Sequence, residues 1–189
     1  MKKINLRALE PDDIDVLYEV ENDSEVWAEG VTTVPYSKDV LRNYVLNTHS
    51  DIYADSEVRL VAENAEGETV GIVDLTNFDP KNLRAEVGIV VRKKWRQQGF
   101  GTVMLQQLID YATSVLHLHQ LYAFVSKDNV ASVRLFEERG FTVSGTLHDW
   151  INNGKTYADC AIMQLFLGFL KKTSEKFCRY KKYSYLCNR

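Results

Sequence analysis

The sequence predicts an α/β domain with a mixed sheet and helices on both faces, and three stretches predict it. Residues 90–101, Val-Val-Arg-Lys-Lys-Trp-Arg-Gln-Gln-Gly-Phe-Gly, close an apolar β-type run and open a helix. Residues 58–92 hold three successive β-type runs joined by short connections, a meander of antiparallel strands. The order strand, helix, strand across 84–125 then calls for a parallel neighbour reached by a right-handed crossover. A chain of 189 residues, 45% of them hydrophobic, supplies the core of one domain.

Taken in order, the alternating run Lys3-Ile4-Asn5-Leu6-Arg7 predicts a first strand with no signal-peptide core before it. Pro11-Asp12-Asp13 predicts a helix start, with Ile14, Leu17 and Tyr18 as its apolar face and an end near Asp23. Residues 24–36 mix Trp27, Glu29, Pro35 and Tyr36 irregularly, which predicts a loop between helices and a candidate substrate wall. Ser37 can cap a second helix whose Val40, Leu41, Tyr44 and Val45 face inward. A polar loop follows over 48–57, with Asp51, Asp55 and Glu57 in it.

Strands are expected at 58–63, 69–76 and 84–92, the first two joined by a hairpin containing Gly67. Met104, Leu105, Leu108, Ile109, Ala112, Val115 and Leu116 recur at helical spacing and predict a helix over 102–116. A strand over 120–125 comes next, then a short helix capped by Asp128-Asn129, with Val130, Val133, Leu135 and Phe136 as apolar contacts and Gly140 at its left-handed end. A closing hairpin, 145–151 and 156–166, turns at Asn152-Asn153-Gly154-Lys155.

The charge is uneven. The net value is −3, but residues 167–189 carry seven basic residues against one acid, Glu175, so the tail is +6 and the body −9. An acidic body favours a cationic amine substrate and disfavours nucleic acid. Cys160, Cys178 and Cys187 are odd in number and lack metal-ligand spacing, which suits reduced thiols in a cytoplasmic protein. His49, His117, His119 and His148 form no cluster, so no metal is expected, and no apolar stretch is long enough to span a bilayer.

Gly99 and Gly101 allow a tight turn into a helix start, where unpaired N–H groups converge and bind phosphate. No Lys-Ser or Lys-Thr follows the glycines, against a P-loop, and the Gly-x-Gly-x-x-Gly fingerprint is incomplete. What remains, Arg96-Gln97-Gln98-Gly99-Phe100-Gly101 after a strand, resembles the acetyl-CoA-binding motif of the GCN5-related N-acetyltransferases (GNAT). The segment from Asn129 to Gly140-Phe141, an asparagine opening a helix that ends in Gly-Phe, resembles a second hallmark of that family. Leu6-Arg7-Ala8-Leu9, Arg84-Ala85-Glu86, Asn153-Gly154 and Tyr157-Ala158-Asp159 resemble the branch with ribosomal-protein N-terminal acetyltransferases and spermidine acetyltransferases.

The resemblance spans about 4–166 and implies a mostly antiparallel sheet with a splayed parallel pair at its centre, one domain over 1–166, and a basic extension over 167–189. It implies acetyl-CoA as donor. Backbone groups of Ile89, Val90 and Val91 would pair with the pantetheine arm, and N–H groups of Gln98, Gly99, Phe100 and Gly101, in the same turn as Gln97, would hold the pyrophosphate. Arg96 would add charge and Asn129 a hydrogen bond. An alkylamine is mostly protonated at neutral pH, so attack on the thioester needs a base. Glu86 is the candidate. Many family members carry a tyrosine acid where this chain has Phe136, which leaves Ser132 or water as proton donor to the thiolate and Phe136 as packing beside the cofactor.

The expected acceptor is a polyamine such as spermidine, with Glu29, Asp51, Asp55 and Glu57 as its acidic contacts. An N-terminal α-amine of a ribosomal or other protein is the alternative, and a non-catalytic acyl-CoA-binding module is the competing class. The tail, with Phe169, Leu170, Phe177, Tyr180, Tyr183 and Leu186 among its lysines, suggests either disorder or a helix that packs on another subunit of a homo-oligomer.

Overall fold

The computed structural model of the chain describes residues 2–27, 34–49, 51–152 and 154–168. Seven strands form one sheet: β1 (Ile4–Ala8), β2 (Val58–Asn64), β3 (Thr69–Asp79), β4 (Arg84–Val91), β5 (Gln120–Ser126), β6 (Thr142–Asn152) and β7 (Tyr157–Phe166), in the order β1-β2-β3-β4-β5-β7-β6. Every neighbouring pair is antiparallel except β4 and β5 at the centre. The predicted meander and crossover are both present. β7 intervenes between β5 and β6, so the closing hairpin enters the sheet by its second strand.

Helix α5 (Phe100–Ser114) makes the crossover and α6 (Val130–Glu138) follows β5. Met104, Leu105, Leu108 and Phe136 pack with Val73, Leu75, Ala85 and Val87 in the main core. Because side chains alternate along a strand, Ile72 and Val90 point the other way, where they meet Leu17 and Val20 of α1 (Ile14–Glu21) and Leu41 of α3 (Lys38–Asn47). Helices therefore cover both faces. Gly71 makes the centre possible, since a Cβ there would stand 2.2 Å from the Val90 carbonyl oxygen and 2.7 Å from Met104 Cε.

Element boundaries differ from the sequence reading where local caps decide them. α5 starts at Phe100, two residues before the expected start at Thr102, because Gly99, with φ +79°, is its N-cap. Residues 24–36 are not wholly irregular: Asp23 accepts from the Glu25 N–H and a short α2 (Ser24–Trp27) forms. Likewise Asp51 accepts from the Tyr53 N–H and opens α4 (Ile52–Asp55) within the expected polar loop, with Ile52 buried. Val40, Val115 and Val130, expected to face inward, are more than half exposed, whereas Leu41 and Phe136 are buried as expected. Ser37 does cap α3, accepting from the Val40 N–H at 3.2 Å. Gly140 follows α6 with φ +88°. Leu167, one residue past the expected domain end, is in the core and donates its N–H to the His119 carbonyl. Cys160 is a buried free thiol, and Cys178 and Cys187 lie outside the described residues. Among the described residues no helix is long and apolar enough to cross a membrane.

Candidate active site

The centre of the sheet opens into a V. β4 and β5 pair at three positions, Arg84 with Gln120, Ala85 with Leu121 and Glu86 with Tyr122, and then no further. Beyond the last rung, Ile89, Val90 and Val91 still pair with β3 at Val73, Ile72 and Gly71, so only their β5 side is released. This leaves strand-edge polar groups facing an opening, a fit for the amides of an extended arm.

At the C-terminal end of β4 the turn into α5 has Gln97 at φ 57° and Gly99 at φ 79°. Among the described residues, the N–H groups of Gln97, Gln98, Gly99, Phe100 and Gly101 have no backbone or side-chain acceptor. Five unpaired donors at the positive end of a fifteen-residue helix fit a pyrophosphate. The Gln98 side chain is turned back onto the Lys94 carbonyl at 2.8 Å, away from these backbone donors. A Cβ on Gly101 would touch Leu135 of α6 and Val91 at 3.4 Å, which sets how closely the two helices and β4 meet here.

Arg96 has a different engagement from the expected one. Its Nε donates to the Val91 carbonyl at 2.9 Å, and its other nitrogens reach Asp23 Oδ2 at 3.0 Å and Glu25 Oε2 at 2.6 Å. Lys93 joins Glu25 at 2.7 Å. The guanidinium thus fastens α2 to the turn. Lys93 and Arg96 hold the Glu25 carboxyl below the usual carboxylate range; for Asp23, burial works against the charge but the Glu25 N–H and Arg96 outweigh it.

Asn129 Oδ1 caps α6 by accepting from the Ser132 N–H at 3.0 Å, while its amide nitrogen has no acceptor among the described residues. Capping and ligand binding are thus compatible in one side chain. The half-buried Ser132 hydroxyl is also without a partner there. Phe136 is 3% exposed and stacks edge to face on Phe141 at 4.9 Å, a core position.

Glu86 sits on the last paired rung before the opening, on the face shared with Val90. It accepts from Asn77 Nδ2 at 2.8 Å, and Asn77 itself has φ 49°. Through the strand register, Thr76, Glu86, Tyr122 and Gln164 form one row across four strands. Burial, and then the Glu86 charge, push the Tyr122 phenol above its ordinary value. Tyr122 and Asn77 were not singled out from the sequence. An aromatic residue in an apolar strand run reads as core, and only the register brings it opposite Glu86.

The loop acids are tied to this row through the Phe78 N–H, which donates to the Ser56 carbonyl at 3.1 Å. Asp51 caps α4, Asp55 takes both the N–H and Nδ1 of His49, and Glu57 accepts from the Tyr44 hydroxyl at 2.9 Å. Each acid thus already has a structural partner, though Asp51 remains exposed. Glu29 lies outside the described residues. Deeper on the same face, Arg59 bridges Glu21 at 2.6 Å and Asp74 at 2.8 Å, an ionic cluster that sequence spacing gave no sign of. Burial pushes the Asp74 carboxyl up, with Arg59 opposing it.

A splayed parallel pair, a free-donor turn at a helix start and a carboxylate at the mouth of the V together define an acyl-CoA-dependent acyltransferase. The chain belongs to the GNAT acetyltransferase family, whose domain model, described as "Acetyltransferase (GNAT) domain", matches residues 3–142. It is 30% identical over 167 residues to the spermidine N(1)-acetyltransferase of Escherichia coli (strain K12), covering 86% of each chain. Among solved structures it is similar to the spermidine N-acetyltransferase of Vibrio cholerae in complex with CoA and spermine, with a TM-score of 0.78, 28% identity, and coverage of 87% of this chain and 95% of that one. A dodecameric structure of the Vibrio cholerae enzyme, at 27% identity, gives a TM-score of 0.75 and covers 92% of this chain and 98% of that one.

Proposed function

We propose that the protein transfers the acetyl group of acetyl-CoA to a primary amine of a polyamine such as spermidine. The observation that carries this reading is the position of Glu86 on the last rung before β4 and β5 part, where a base and the thioester would meet. The −9 body, the acids around α4 and the similarity to spermidine acetyltransferases support a polycationic acceptor.

The residues divide the work as follows. The N–H groups of Gln98, Gly99, Phe100 and Gly101 hold the pyrophosphate, and the released edge of Ile89, Val90 and Val91 pairs with the pantetheine arm. Asn129 donates its spare amide to the same arm. Acetyl-CoA supplies the activated acyl carbon. Glu86, oriented by Asn77, takes the proton of the acceptor ammonium directly or through water, and Tyr122 lies beside it to orient the amine. Ser132 or water returns a proton to the departing sulfur, because Phe136 has no hydroxyl to give. A thiolate leaves readily, so a weak donor slows turnover without stopping it. The dodecameric relative supports a homo-oligomer.

A thiol-release assay at saturating acetyl-CoA across an amine panel tests the function. Spermidine and spermine are expected to turn over well above an N-terminal ribosomal peptide. Turnover of the peptide with inert polyamines would move the acceptor to protein α-amines; binding of acetyl-CoA with no release for any amine would leave a non-catalytic module.

A further inference from the structure

Gly88 lies two residues beyond Glu86 on β4 and has no positive φ, so what this glycine supplies is space rather than backbone freedom. A Cβ there would stand 3.3 Å from both Cβ and Oδ2 of Asp74, its partner on β3. The Asp74 carboxyl therefore leans across β4. It does so over the stretch already released from β5, since the last rung between those strands is at Glu86. Alternation along the strands puts Asp74, Gly88 and Glu86 on one face, the face of Ile72 and Val90. As diagonal neighbours on antiparallel strands, Asp74 and Glu86 are roughly 7–8 Å apart.

The charges on this face do not balance. Arg59 donates from Nε and Nη2 to the two Asp74 oxygens at 2.8 and 3.2 Å, and from Nη1 to Glu21 at 2.6 Å, so one cation serves two acids. Glu86 and Glu57 meet neutral donors, Asn77 and the Tyr44 hydroxyl. Burial pushes the Asp74 carboxyl up although Arg59 opposes it, which means that one guanidinium does not offset the loss of water. The Asp74 side chain is still 15% exposed, and a carboxylate has about four lone-pair sites, of which Arg59 occupies two.

We propose that Asp74 holds the second ammonium of the acceptor while Glu86 receives the proton of the first. The inference rests on the polyamine reading above and deepens it, because it says which acceptors the site prefers. Two carboxylates at this spacing on one face match two amines joined by three or four methylenes, as in spermidine. A monoamine reaches only one of them. An ammonium at Asp74 adds the second cation that the buried carboxylate lacks, and the contact is a charge-assisted hydrogen bond in a site shielded from water. Gly88 keeps the path between the two carboxylates open, since a side chain there would fill it. Asp74 is thus a specificity-determining residue: it places the amine beside Glu86 and selects acceptors that carry a second charge.

The test is Asp74→Asn in the full-length protein, which keeps the shape of the side chain and removes its charge. At saturating acetyl-CoA, the KM for spermidine is expected to rise roughly tenfold or more with kcat within a few-fold, while kcat/KM for n-butylamine stays the same. Equal losses on both amines, or no loss on spermidine, would overturn the proposal and leave the polyamine reading intact. Glu21→Gln removes the other charge that Arg59 meets and keeps Asp74 in place, so its KM for spermidine should be nearly unchanged. A rise equal to that of Asp74→Asn would assign the effect to Arg59 and also overturn the proposal. The unaltered protein gives a second measurement that does not depend on how a variant folds. Across a series of α,ω-diamines, kcat/KM should peak at three or four methylenes and fall for longer spacers; a flat series, or n-butylamine as good as the best diamine, would contradict a second ammonium site at Asp74. Inert spermidine and inert diamines in the unaltered protein would instead remove the enzymatic reading on which this one rests.

Discussion

The two sides of the central strand β4 are built by different means. Toward α5, the donor side is made of backbone: a glycine N-cap, five N–H groups without acceptors among the described residues and a strand edge released from its neighbour. Toward α1 and α3, the acceptor side is made of side chains fastened between separate segments of the chain, Arg59 to Glu21 and Asp74, Tyr44 to Glu57, and Asn77 to Glu86. A backbone site tolerates changes of side chain but not of turn geometry. A side-chain site does the reverse.

The largest effect on stability should come from the side-chain region. Arg59→Met keeps much of the volume but leaves Glu21 and Asp74 facing each other without a cation. Because Arg59 is 24% exposed, the expected loss is at the low end for breaking a buried pair, about 3 kcal/mol, read as a drop in Tm of several degrees. An unchanged Tm would mean that water already screens the cluster. In the backbone region, Gly99→Ala should force a side chain onto φ +79°, at about 1–2 kcal/mol, and weaken acetyl-CoA binding by about tenfold in calorimetry. Gln97→Ala should leave that affinity nearly unchanged. If the two substitutions cost the same, the turn does not bind through its backbone.

The contrast also decides what could be read from the sequence. The donor side was legible because its parts are local: Gly99 and Gly101 stand in a run of twelve residues, and Asn129 stands three positions from the N–H it caps. Helices and the meander followed from periodicity for the same reason. The acceptor side was legible only in charge. That Arg96 would pair with Asp23 and Glu25, or that Tyr122 would stand opposite Glu86, depends on partners dozens of residues away. Where β4 and β5 stop pairing has no local signature at all.

Two smaller effects sharpen the picture. Phe136→Tyr should raise kcat several-fold with little change in acetyl-CoA affinity, if the phenol can leave its contact with Phe141. No gain in folded protein would point to Ser132 or water as a sufficient donor, and Ser132→Ala would then lower kcat. The smallest effect belongs to the tether of α2. Asp23 and Glu25 have lowered pKa values in the folded state, so their stabilisation is full at neutral pH and is lost as the pH falls below the usual carboxylate range near ~4. The Tm difference between the unaltered protein and Glu25→Gln should be slight at pH 7 and vanish at lower pH. A difference that grows on acidification would reverse the sign of the tether.

The proposed reaction makes Glu86 the base, and Glu86→Gln tests that role with one substitution that keeps the size of the side chain and leaves an amide to face Asn77. At saturating acetyl-CoA and spermidine, kcat is expected to fall by ~10²-fold or more near neutral pH, with the calorimetric Kd for acetyl-CoA unchanged. Turnover within a few-fold of the unaltered enzyme, with the cofactor still bound, would contradict a base at this rung.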